Sequence, residues 1–145
     1  MSLKHQTALV AALSRISDQN EKFRYLVDLG RKAPPYPEEF RNEMFIVKGC
    51  ISQLWLHPNF SDGVMHFDID SDAAIPKGIA AILAKVYSGC SPDEVLSHDP
   101  SFLTEVGIEQ HLSMNRRNGL SNLIKQIRLY AMAFKSLEQS KNPSP

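Results

Sequence analysis

The spacing of apolar residues changes register twice along the chain. Leu9, Val10, Leu13 and Ile16 recur as one helix face, predicting a first helix that ends near Ser17. Asp18 and Glu21 have the spacing of a capping box and open a second helix, with Phe23, Leu26 and Val27 on one side and Gly30 as its stop. The proline-rich stretch KAPPYPEEF then reads as an extended connector, because proline disfavours helix in the residue before it. Beyond it, Met44 to Val47 and Leu54 to Leu56 read as short strands. In MHFDID, Met65, Phe67 and Ile69 alternate with His66, Asp68 and Asp70, giving a strand wet on one face. The intervening HPNFSDG supplies an Asp-Gly turn.

From Asp72 onward the helical period returns. Ile75, Ile79, Ile82, Leu83 and Val86 share a face, with Pro76 in the first turn. Ser91-Pro92-Asp93-Glu94 predicts a capped short helix, and Asp99-Pro100 opens another that runs towards His111. Ser113 caps a long final helix whose buried stripe is Leu120, Leu123, Ile124, Ile127, Ala131 and Phe134, and whose end, SLEQSKNPSP, frays. Helices, then strands, then helices predict an α+β domain, a small antiparallel sheet with helices packed on one side. The expected organisation is one domain over 1–138 and a flexible tail over 139–145.

Composition narrows the function classes. The 145 residues carry 16 basic and 16 acidic side chains, which argues against nucleic acid as a partner. Charge is nonetheless segregated: residues 62–109 hold nine acids against Lys77 and Lys85, whereas residues 110–145 hold six bases against Glu138. That layout can steer a charged protein, or can simply form solvated faces that pair with each other. No apolar run approaches the length of about 20 residues that crosses a bilayer, and MSLKHQTALV lacks a signal-peptide pattern, so a cytoplasmic location with no membrane partner is expected. Cys50 and Cys90 are too few for a disulfide framework, and with His57 and His66 they show none of the paired spacings of a zinc site.

The stretch VKGCISQLW concentrates the candidate chemistry. Gly49 permits a sharp turn, which places Cys50 on a loop, and Lys48 favours the thiolate that attacks sulfur. On these residues alone, a lone cysteine is as readily an inert core side chain as a nucleophile. Gln53 either bonds near the thiol or faces water from a strand, and Trp55 reads as a core anchor. Asp70 and Asp72 are candidates for a partner contact, with helix capping preferred for Asp72. His111 reads as a locally bonded imidazole ahead of a proton shuttle, and Cys90 as a packing or solvent position without a signature.

GCISQLW resembles the GCxSQxW signature of the SufE family, and three further blocks match in the family's order: YLVDLGRKAPPYPEE, DSDAAIPKGIAAIL and QHLSMNRRNGLSNLIKQI. Together they span roughly residues 20 to 130. Departures are Ile51, where the family commonly has Gln, Pro76, where it often has Val, and Arg117, at a position more often small and polar. The resemblance implies a fold related to the iron-sulfur scaffold proteins. It also implies a role for Cys50, as sulfur acceptor from the persulfide of a cysteine desulfurase and donor to an iron-sulfur scaffold complex. On that reading the chain carries sulfur with a partner rather than acting as a stand-alone enzyme. It binds no cofactor of its own, because the pyridoxal phosphate belongs to the desulfurase. Gly49, Gln53, Asp70, Asp72, His111 and Arg116 are the supporting or partner-binding candidates. The alternatives are an iron-sulfur scaffold, for which two cysteines are few, a regulator that only docks the desulfurase, or a thiol peroxidase with Cys90 as resolving residue.

Overall fold

The computed structural model describes residues 2–49, 53–98, 102–105, 107–108 and 112–141. Helices α1 (Ser2–Ser14) and α2 (Gln19–Arg31) lead the chain, followed by two 3-10 turns, Glu38–Phe40 and Glu43–Phe45. Strands β1 (Leu54–Ser61) and β2 (Val64–Ser71) form an antiparallel hairpin, and α3 (Ala74–Tyr87), α4 (Pro92–Ser97), α5 (Phe102–Glu105) and α6 (Met114–Lys141) complete the domain. This is the expected α+β architecture.

Period-two alternation sorts the hairpin into two faces. Leu54, Leu56, Met65, Phe67 and Ile69 join Ile79, Ile82, Leu83 and Val86 of α3 in one continuous core. Phe60, on that same face, stacks on Phe134 of α6 with ring centroids 4.9 Å apart. The long helices thus lie on one side. The other face carries the register pairs Trp55–Asp70, His57–Asp68 and Asn59–His66.

Several local expectations need correction. Gly30 does not stop α2; it lies inside the helix, buried against α3. A Cβ on Gly30 would come within 3.0 Å of Gly78 N, and one on Gly78 would collide with the Leu26 carbonyl oxygen. These glycines let two helix backbones touch, which is a packing role that periodicity cannot reveal. Asp18 precedes α2 but its side chain makes no cap bond, and α1 ends at Ser14, before Ser17. Met44 to Val47 is not a strand, since Asn42 accepts the Met44 N–H at 3.0 Å and caps the second 3-10 turn. Met44 is 77% exposed, so the segment has no alternating face to bury, and sheet pairing shrinks to one bridge, Ile46 with Trp55.

β1 is longer than its apolar run. It continues through Pro58 to Ser61, and the turn is confined to Asp62 and Gly63, both left-handed at φ 54° and 79°. Those angles suit a two-residue hairpin of the primed type, whose twist matches the strands. On the β2 edge, Met65 bridges Cys90. The capping box of Ser91 and Glu94 forms as expected, and so does the Ser113 cap, whose Oγ accepts the Arg116 N–H at 3.3 Å. α6 continues to Lys141, through residues 139–141 that were expected to lie in a tail. No glycine or proline interrupts the chain from Leu120 to Asn142.

Candidate functional site

The two flanks of residues 48–53 meet each other. The Val47 N–H donates to the Leu54 carbonyl at 2.8 Å, so the two flanks of the segment are bonded to each other. Gly49 takes a left-handed φ of 86°, and a Cβ there would collide with Nδ2 of Asn122 on α6. A turn and a close approach therefore both require glycine at this position. Cys50, Ile51 and Ser52 lie outside the described residues, as does His111.

Gln53 anchors the outgoing flank through its backbone. Its N–H donates to Asp72 Oδ1 at 3.0 Å, and its carbonyl accepts Ser71 Oγ at 2.7 Å and the Asp72 N–H at 3.2 Å. Gln53 stands just before β1 rather than within a strand, and it is exposed. Asp72 accordingly does not cap α3, contrary to expectation. The N-cap residue is Ala73, which makes no side-chain cap bond. Asp72 spends its carboxylate on the cross-chain Gln53 N–H, while Ser71 Oγ takes the Ala73 N–H at 3.2 Å.

Asp70, one register pair further in, belongs to an ionic cluster. Arg41 Nη2 reaches its Oδ2 at 2.8 Å, Lys77 Nζ reaches Oδ1 at 3.4 Å, and the Ser71 N–H also bonds Oδ1 at 2.8 Å. Burial works to raise the Asp70 carboxyl, but the bonds from Arg41, Ser71 and Lys77 outweigh it, and the group is held below the usual carboxylate range. The Arg41 guanidinium carbon also lies 4.8 Å from the Trp55 ring centroid and 5.2 Å from that of Tyr36, within cation–π range. Trp55 is buried as expected, but it faces this cation and lies outside the main core cluster.

The proline-rich connector is thus a strap across the outer face of the hairpin. Tyr36 and Arg41 cover Trp55, and Phe40 stacks on His57 at 3.6 Å between centroids while Phe45 meets the same ring edge-on at 4.9 Å. His57 is held from below by Asp68, with Nδ1 3.0 Å from Oδ2. The Tyr36 hydroxyl donates to the Phe40 carbonyl at 2.9 Å, and burial, helped by the nearby Asp68 charge, pushes this phenol up to about 12. Sequence reasoning did not single out Arg41 or Tyr36. The available signal was an aromatic and a cation placed among prolines, in a segment polar enough to pass for a solvated turn.

The remaining candidates disperse. Arg116 and Arg117 lie exposed in the first turn of α6. Cys90 is fully buried, and its thiol donates to the Val86 carbonyl at 3.6 Å. Lys135 pairs with Asp93 at 2.7 Å, and Arg128 bonds the carbonyls of Leu96 and His98, so part of the segregated charge is consumed within the fold. Among the described residues there is no cluster of three or more metal-ligating side chains, and no helix is long and apolar enough to cross a membrane.

Comparison with known proteins places this arrangement. A solved structure of a hypothetical protein from Thermus thermophilus superposes with a TM-score of 0.75 over 89% of this chain and 94% of its own, at 20% identity, and so shares the fold. An uncharacterized SufE-like protein of Synechocystis is 31% identical over 126 residues, 87% of this chain and 79% of that protein. The family model described as SufE, Fe-S metabolism associated domain, matches residues 7–131. With most of its length matched, the chain belongs to the SufE family, and its role lies in iron-sulfur metabolism.

Proposed function

We propose that this protein is a persulfide carrier, which takes sulfane sulfur from a cysteine desulfurase onto Cys50 and delivers it to an iron-sulfur scaffold complex. The observation that carries the reading is the burial of Cys90. The chain has two cysteines, and with Cys90 fully buried in the core, thiol exchange with another protein falls to Cys50. That burial also weighs against a cluster scaffold and against Cys90 as a resolving cysteine, since each needs a second thiol within reach.

The chemistry is a thiol–persulfide exchange without net redox change. The Cys50 thiolate attacks the terminal sulfur of the donor persulfide, a new sulfur–sulfur bond forms, and the donor cysteine leaves as thiolate. Attack by an acceptor thiolate on the outer sulfur of Cys50 repeats the step and regenerates the carrier. Lys48 supplies positive charge two positions away, which favours the attacking thiolate. Pyridoxal phosphate works in the desulfurase, where the carbon–sulfur bond is broken, and this chain needs no cofactor for its own step. The exposed Arg116, together with His111, would meet the partner, and a reducing cytoplasmic setting keeps the thiol available.

The test is mass spectrometry after incubation with a desulfurase and cysteine. The expected result is a gain of one sulfur on the peptide holding Cys50, lost in Cys50→Ser together with desulfurase stimulation. Undiminished stimulation by Cys50→Ser would replace the carrier with a docking regulator.

A further inference from the structure

We infer that Arg41 is a positioning residue for the Cys50 segment, a clamp that holds both flanks of residues 48–53 through a single guanidinium. The inference rests on the carrier reading for its consequence, but its geometry stands apart from it. Trp55 and Asp70 are register partners across the hairpin, and Arg41 grips both: its guanidinium carbon is 4.8 Å from the Trp55 ring centroid and Nη2 is 2.8 Å from Asp70 Oδ2. The next pair outward is Leu54 with Ser71, and both of its members anchor the segment, Leu54 by accepting the Val47 N–H and Ser71 by bonding the Gln53 carbonyl. The incoming flank depends on the same grip, because the strap continues from Arg41 into Ile46, which bridges Trp55.

The clamp is local. Arg41 also bonds Glu38 within the strap, with Nε 3.1 Å from both carboxylate oxygens. If Arg41 is removed, Lys77 still neutralises Asp70, and Phe40 and Phe45 still hold the strap to His57. No buried charge is orphaned, so the domain keeps its core and the loss falls on the flanks. Neutral substitution should therefore raise local opening of the two flanks more than global unfolding. Lysine can restore the charge but cannot stack on two rings while bonding two carboxylates, so it should rescue only in part.

The experiment measures hydrogen exchange at the two flank amides, Val47 N–H on the Leu54 carbonyl and Gln53 N–H on Asp72, alongside the urea midpoint. Both amides in Arg41→Gln should exchange roughly fivefold to tenfold faster, and those in Arg41→Lys should lie between it and the parent. The control Gly63→Ala, which strains the hairpin turn at the other end of the strands, should leave both flank rates within about twofold. An unchanged rate in a folded Arg41→Gln, or the same acceleration in Gly63→Ala, overturns the clamp. Should Arg41→Gln fail to fold, Arg41→Lys and Asp70→Asn carry the comparison, and parental rates in both refute it. Absence of sulfur loading on Cys50 would defeat the carrier reading while leaving the exchange result at the flanks standing.

Discussion

Replacing Gly49 by alanine separates two demands that the fold places on one residue. The backbone there has φ 86°, and an L side chain in the left-handed region costs about 1–2 kcal/mol. The new methyl also collides with the Asn122 amide, and rotating that side chain off its rotamer adds about 0.5–1.5 kcal/mol. Two other glycines supply the control. Gly63 at φ 79° and Gly89 at φ 83° have the same handedness, and a methyl added at either would meet nothing within 4 Å, so their alanine variants report the backbone cost alone. Urea unfolding followed by the fluorescence of Trp55, the sole tryptophan, should show Gly49→Ala losing about 2–3 kcal/mol against about 1–2 for Gly63→Ala. Adding Asn122→Ala should bring the Gly49→Ala penalty back towards the Gly63→Ala value. Equal penalties at Gly49 and Gly63, indifferent to Asn122, would refute the close approach between this segment and α6.

Three further outcomes follow from the geometry. Asp72→Ala should cost about 0.5–1.5 kcal/mol by leaving the Gln53 N–H to solvent, and Asp72→Asn, which keeps an acceptor, should recover most of it in the same urea assay. Gly78→Ala should destabilise by about 1–3 kcal/mol or more, because its methyl meets the backbone of α2 rather than a side chain that can swing away; a shift in thermal midpoint below about 1 °C would deny the tight crossing. The Tyr36 phenol titrates near 10 when unfolded and at about 12 when folded, so its contribution is fully present below pH 10 and is lost between pH 10 and about 12. Tyr36→Phe should flatten that alkaline loss in denaturation curves recorded across the window.

Short-range chemistry accounts for what was legible in the sequence. The capping box at Ser91, the Ser113 cap, the Asp-Gly hairpin turn and the buried stripe of α6 depend on residues within a few positions of one another. The order of helices and strands was sufficient for an α+β fold on the same terms. Cys50 could be singled out by its motif, whereas the sequence left Cys90 between packing and solvent and its burial decides for packing.

Tertiary structure decided the rest, because each missed feature joins residues far apart in the chain. Gly30 looks like a helix stop until Gly78 is brought against it across two helices. Asp72 looks like a cap until the Gln53 N–H, nineteen positions earlier, claims its carboxylate. Arg41 looks like one more charge in a polar turn until the strap folds over the hairpin and sets it between Trp55 and Asp70. Pattern along a chain records which side of an element is apolar; which distant partner satisfies a given polar group is settled only when the elements pack.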